Sequence, residues 1–100
     1  MSKITVLVAI YNAEKYLHKC LDSLVGQTLQ DIQIVCINDC STDSSRSIVE
    51  EYASKDKRFV LINLDKNQGQ AVARNKGLEV SDGEYITMLD SDDWFEPDSL

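Results

Sequence analysis

Four short apolar runs, rich in β-branched residues and separated by stretches of helical periodicity, constrain the fold of this chain most. They are Lys3–Ile10 (KITVLVAI), Ile32–Ile37 (IQIVCI), Phe59–Leu64 (FVLINL) and Glu84–Leu89 (EYITML). Runs of nearly continuous apolar character predict strands buried on both faces. Between the first two, Leu17, Cys20, Leu21 and Leu24 recur at helical spacing, with Asn12 as a natural cap and Gly26 closing the helix. The run Ser41-Thr42-Asp43-Ser44-Ser45 then offers several caps to a helix whose apolar face is Ile48, Val49, Tyr52 and Ala53. A turn over Asp65–Gly69 leads into a third helix through Ala71, Val72, Asn75 and Leu78, which Gly83 breaks. A further helix is expected to start near Pro97.

The order βαβαβαβ predicts parallel strands joined by right-handed crossovers, in an open, doubly wound α/β sheet. In such a sheet the ligand lies outside the carboxyl ends of the strands, where strand order reverses. Polar residues stand at that edge after each strand: Tyr11 and Asn12, Asn38 and Asp39, Asp65, and Asp90.

Charge sharpens the picture. Residues 1–80 hold all ten bases and as many acids. The net charge of −7 therefore belongs wholly to Asp82, Glu84, Asp90, Asp92, Asp93, Glu96 and Asp98. Clustered carboxylates repel one another unless a cation or base neutralises them, which makes a metal site a candidate. The same sign argues against a nucleic-acid partner. No apolar run reaches bilayer-spanning length, and no signal-type apolar core precedes the first strand, so the expected location is the cytoplasm. Cys20, Cys36 and Cys40 lack the paired spacing of a zinc site and read as free thiols in a reducing compartment. The first two sit at apolar positions.

Leu89-Asp90-Ser91-Asp92-Asp93-Trp94 follows the fourth strand, itself expected to be buried. Asp90 and Asp92, one residue apart at the end of an extended segment, are expected to point roughly the same way, since side-chain direction repeats every two residues. Such a pair can hold Mg²⁺ or Mn²⁺ with few protein ligands and leave the remaining positions to water and phosphate oxygens.

Five motifs in this order are similar to the N-terminal part of a family 2 glycosyltransferase of the GT-A fold. They are Val8-Ala9-Ile10-Tyr11-Asn12, Gln27-Thr28, Asn38-Asp39-Cys40-Ser41-Thr42-Asp43, Gly69 through Ala73-Arg74-Asn75-Lys76-Gly77, and Asp90-Ser91-Asp92-Asp93-Trp94. The resemblance covers nearly the whole chain. It implies that Ala9 and Tyr11 cradle and stack on a uracil ring, and that Asp39 accepts a hydrogen bond from the base N3–H. It further places Arg74 near the nucleotide, Asp90 at the ribose and Asp92 at a divalent metal. Residues 1–100 then form the nucleotide-sugar-binding part of one glycosyltransferase domain. The acceptor-binding part and the catalytic base, an acid, are expected beyond Leu100. The implied reaction is inverting transfer from a UDP-sugar to a carbohydrate or lipid-linked hydroxyl, in polysaccharide or glycoconjugate assembly, at or near the inner face of the membrane.

Two positions depart from the family pattern. Ala9 stands where Pro is common, and Cys40 where Gly is common. A positive φ at Cys40 would cost something on the order of 1 kcal/mol. A sugar-nucleotide pyrophosphorylase would instead carry a Gly-rich basic loop after the first strand. A receiver-type signalling domain would carry an acidic pair there. Tyr11-Asn12-Ala13-Glu14 is neither.

Overall fold

The structure, a computed structural model, describes residues 3–100. The first apolar run forms strand β1 (Ile4–Ile10), and the helical pattern after it forms α1 (Leu17–Val25). Then follow β2 (Ile32–Asn38), α2 (Ser45–Lys55), β3 (Phe59–Asn63), α3 (Gln70–Val80) and β4 (Tyr85–Met88). All pairings are parallel, and the sheet order is β3-β2-β1-β4. The chain thus builds outward from β1 to β3, then crosses back to place β4 on the other side of β1. The reversal falls between β1 and β4, and that crevice is where a doubly wound sheet binds ligands.

Each face of the sheet has its own core. Val6, Val8 and Ile10 of β1, with Ile34 and Cys36 of β2, meet Leu17, Cys20, Leu21 and Leu24 of α1 and Val49 of α2. Leu7, Val35 and Ile37 point the other way, onto Ala73 of α3. Burial on both faces is why β1 and β2 are apolar without alternation.

The third helix does not present the expected face. Ala71, Asn75 and Leu78 are exposed and Val72 is half-buried, whereas Ala73 and Gly77 are buried. The two small residues, one turn apart, let the helix backbone lie close to the sheet. A Cβ on Gly77 would sit 2.9 Å from Ile37 Cδ1 and 3.0 Å from Leu7 Cδ2. Periodicity counted large apolar residues, but close approach selects small ones.

Asn12 does not cap α1, which starts at Leu17 after Tyr16. Ahead of α2, Asp43 Oδ1 accepts the Ser45 N–H at 2.9 Å. The fourth strand is shorter than expected and exposed, with Tyr85, Ile86 and Met88 open to solvent. Its apolar run reflects an edge with no neighbour on its outer side among the described residues. Near Pro97 there is a single turn closed by Ser99 N–H to Glu96 O at 3.1 Å, with no helix among the described residues. No described helix is long and apolar enough to cross a membrane.

Candidate donor-binding site

The C-terminal edge of β1 feeds a loop, Tyr11 to Tyr16, that is stitched to the loop after β2. Asn12 adopts φ 48°, a left-handed conformation that Asn tolerates. Its N–H donates to Ser41 Oγ at 3.0 Å, and its Oδ1 accepts the Thr42 N–H at 2.8 Å. Ala13 N–H donates to the buried Ser45 Oγ at 2.9 Å, and Glu14 N–H to Asp43 Oδ2 at 3.2 Å. Glu14 Oε2 in turn accepts the Ser44 N–H at 3.1 Å. Burial disfavours the charged form of Asp43, but hydrogen bonds from Ser45 and Glu14 outweigh it and hold the carboxyl below its usual range. Both loops are thereby fixed relative to each other beside the β1–β4 crevice.

Asp39 follows β2 directly and is buried. Its N–H donates to Ile10 O at 2.8 Å, which ties it to the end of β1. Its Oδ1 accepts the Gln68 N–H at 2.8 Å and its Oδ2 the Gly69 N–H at 2.9 Å. The carboxylate therefore shapes the loop that opens α3, and each oxygen keeps a further lone-pair direction for a ligand. Gly69, at φ 90° and ψ 165°, holds a conformation that a side chain would strain. Cys40, next to Asp39, has φ 57° and its thiol lies 3.5 Å from Asp65 O. The positive φ that the family's usual Gly suggests is present here, borne by Cys.

Two cavities open over this edge. One, of about 340 Å³, is lined by Ala9, Tyr11, Asp39, Asn67, Gly69 and Gln70 among others. The second, of about 310 Å³, is lined by Tyr11, Asn12, Tyr16, Gln70, Asp90 and Asp92 among others. Ala9, Tyr11, Gln70 and Ser91 belong to both, so the two are lobes of one crevice. Five of the six residues singled out in the sequence, namely Ala9, Tyr11, Asp39, Asp90 and Asp92, line it. Arg74 lies on the exposed side of α3, one residue past the lining Ala73, and lines neither lobe. Asn67, Gln70 and Tyr16 went unread in the sequence, because nothing in their spacing sets them apart from loop and helix-surface residues. Asp65 does not line the crevice either; only its carbonyl is used, by Cys40.

The acidic segment is not extended. Asp93 N–H donates to Asp90 O at 2.9 Å, which closes a β-turn over Asp90–Asp93. The two-residue period that would align Asp90 with Asp92 does not operate in a turn, yet both carboxylates line the same lobe. Neither has a hydrogen-bond or ion-pair partner among the described residues. Asp93 differs, since its Oδ1 accepts the Trp94 N–H at 2.9 Å. Beneath the turn, burial pushes the Cys20 thiol up to about 12, with the charges of Asp93, Asp92 and Asp90 adding to it. Cys20 and Cys36 are buried free thiols, as their apolar positions suggested.

No group of three or more His, Cys, Asp or Glu side chains among the described residues could hold a metal by itself. Two unpaired carboxylates on one polar lobe fit a hard divalent cation that takes its other ligands from water and phosphate. They do not make a self-sufficient metal centre.

Residues 5–100 match the family described as Glycosyl transferase family 2. Glycosyltransferase GlyA of Streptococcus pneumoniae is 50% identical over 96 residues, covering 96% of this chain and 14% of that protein. The crystal structure of S. aureus TarS 1–349 in complex with UDP superimposes with a TM-score of 0.90 at 35% identity, over 97% of this chain and 29% of that one. Its complex with UDP-GlcNAc gives 0.89 at 36% identity, over 95% and 28%. Mannosyltransferase PcManGT from Pyrobaculum calidifontis, in complex with GDP-Man and Mn²⁺, gives 0.86 at 26% identity, over 93% and 28%. The chain spans well under half the length of the curated relatives it matches. With the family match running through all four strands and both lobes of the crevice, this chain belongs to glycosyl transferase family 2.

Proposed function

We propose that the protein carrying this chain transfers a sugar from a UDP-sugar to a hydroxyl of a carbohydrate or lipid-linked acceptor, and that residues 1–100 hold the donor. The observation that carries the reading is the two-lobed crevice, with buried Asp39 in one lobe and unpaired Asp90 and Asp92 in the other. Uracil lies in the first lobe, against Ala9 and on the ring of Tyr11, and Asp39 accepts its N3–H. Asp90 takes the ribose, Arg74 reaches toward the nucleotide from outside the two lobes, and Asp92 leads the metal site. A Mg²⁺ or Mn²⁺ ion, when bound there, neutralises the diphosphate and improves it as a leaving group. That a structural neighbour binds UDP and UDP-GlcNAc, and another GDP-Man with Mn²⁺, supports the donor class and the metal.

Attack by the acceptor inverts the sugar and needs a general base, which we assign to an acidic residue outside residues 1–100. The acceptor site lies outside them as well. The reading includes polysaccharide or glycoconjugate assembly in the cytoplasm, with peripheral contact at the inner face of the membrane. Titration calorimetry on the parent protein tests it. UDP is expected to bind measurably with Mn²⁺ and much more weakly with EDTA. Asp92→Ala should remove most of that difference, and Asp93→Ala less, because its carboxylate serves Trp94. Equal UDP affinity with and without metal overturns the assignment.

A further inference from the structure

The motif Gln27-Thr28 has no part in either lobe of the crevice. Gln27 is nevertheless a polar side chain with only 1% exposure. Its Nε2 donates to Ser23 O at 2.9 Å and to Glu96 O at 2.6 Å, and its Oε1 accepts the Leu100 N–H at 3.1 Å. A buried amide is costly unless its groups are paired, and two of these three partners come from the segment after β4. Beside it, Thr28 N–H donates to Pro97 O at 2.7 Å.

Helix α1, just before Gln27, grips that segment further along. Phe95 N–H donates to Ser23 Oγ at 3.1 Å, Cys20 Sγ lies 3.7 Å from Asp90 O, and the Lys19 ammonium stands 3.5 Å from the centroid of the Trp94 ring. Residues 90–100 therefore lie along α1 and the residues just after it, from Lys19 to Thr28. Since the Asp90 and Asp92 side chains have no partner among the described residues, their backbone places them, and α1 holds that backbone.

We propose that Gln27 is a positioning residue for the donor site: by anchoring residues 96 and 100 to the end of α1, it fixes the acidic turn Asp90–Asp93 at the crevice. The proposal rests on the donor-site reading above. Two measurements on the parent protein carrying Gln27→Leu test it. Hydrogen–deuterium exchange should accelerate at the amides of Asp93, Phe95 and Leu100. Mn²⁺-dependent UDP binding should weaken about ten-fold or more, the range in which outer partners of a metal site act. Uridine, which keeps the ribose contact with Asp90 but has no phosphate for a metal at the turn, should lose clearly less affinity than UDP. Val49→Ala thins the same core from α2 and should lower stability without touching the Mn²⁺-dependent part. If Gln27→Leu does not fold, Ser23→Ala removes the Phe95 anchor, with only the local bond from Ser23 Oγ to Cys20 O besides, and should give the same pattern on a smaller scale. Faster exchange with undiminished Mn²⁺-dependent binding overturns the proposal, as does an equal loss of UDP and uridine affinity. A wild-type protein whose UDP affinity ignores Mn²⁺ overturns the donor-site reading, and this proposal with it.

Discussion

On the proposed donor-site reading, Asp39 has two tasks in this fold, and they can be separated. Both of its oxygens already hold N–H groups of the loop that opens α3. Its second lone pairs are free to read a base, and a carboxylate facing N3 accepts from uracil but meets an acceptor in cytosine. An unpaired buried carboxylate costs roughly 1–3 kcal/mol, so competition titration should favour UDP over CDP by about ten-fold or more. Asp39→Asn should erode that preference and weaken UDP binding too, because its amide turns a donor toward Gln68 or Gly69. An unchanged preference would place the base elsewhere. The neighbouring Cys40 carries strain that its sequence alone only hinted at. An L-residue at φ 57° costs about 1–2 kcal/mol, and glycine's extra unfolded-state freedom returns part of that. Cys40→Gly is therefore expected to stabilise the protein by roughly 0.5–1 kcal/mol. A urea midpoint that falls in this variant would count against the strain.

At the scale of elements, α3 is the least obvious piece, because its buried stripe is Ala73 and Gly77. The helix lies so near β1 and β2 that side-chain volume there is excluded. Gly77→Val should overpack the contact with Ile37 and Leu7 and destabilise by about 1–3 kcal/mol, read as a lower thermal midpoint. Leu78→Ala, on the exposed side, should change it little. The position of α3 also bears on the site, since Gln70 in its first turn lines both lobes. Displacing the helix would widen the crevice that Asp39 and Gly69 define.

The whole molecule is lopsided. On one side of β1, β2 and β3 continue the sheet; on the other, β4 ends it with Tyr85, Ile86 and Met88 exposed. A raw apolar edge recruits partners. Residues 1–100 produced alone are therefore expected to self-associate through β4 or to be only marginally stable, and to show no transferase activity with any sugar nucleotide. Light scattering and a donor-hydrolysis assay decide this. A stable monomer that turns over UDP-sugar would refute both expectations.

The sequence by itself determined the order of elements, the parallel sheet and the edge on which ligand chemistry gathers. Buried β-branched runs and crossover-length helices leave few other topologies. Of the six residues that the sequence and its family resemblance singled out, five line the crevice, and strand ends put Tyr11, Asp39 and Asp90 at the edge where it opens. Tertiary structure alone decided the rest. The face of α3 depends on how near the sheet comes, the exposure of β4 on what stands beside it, and the convergence of Asp90 with Asp92 on a turn. The loop-to-loop bonds of Asn12 and the bonds from Gln27 to residues 96 and 100 join positions far apart in the chain. Local periodicity cannot register such pairings, since they form only when the sheet has brought distant loops together.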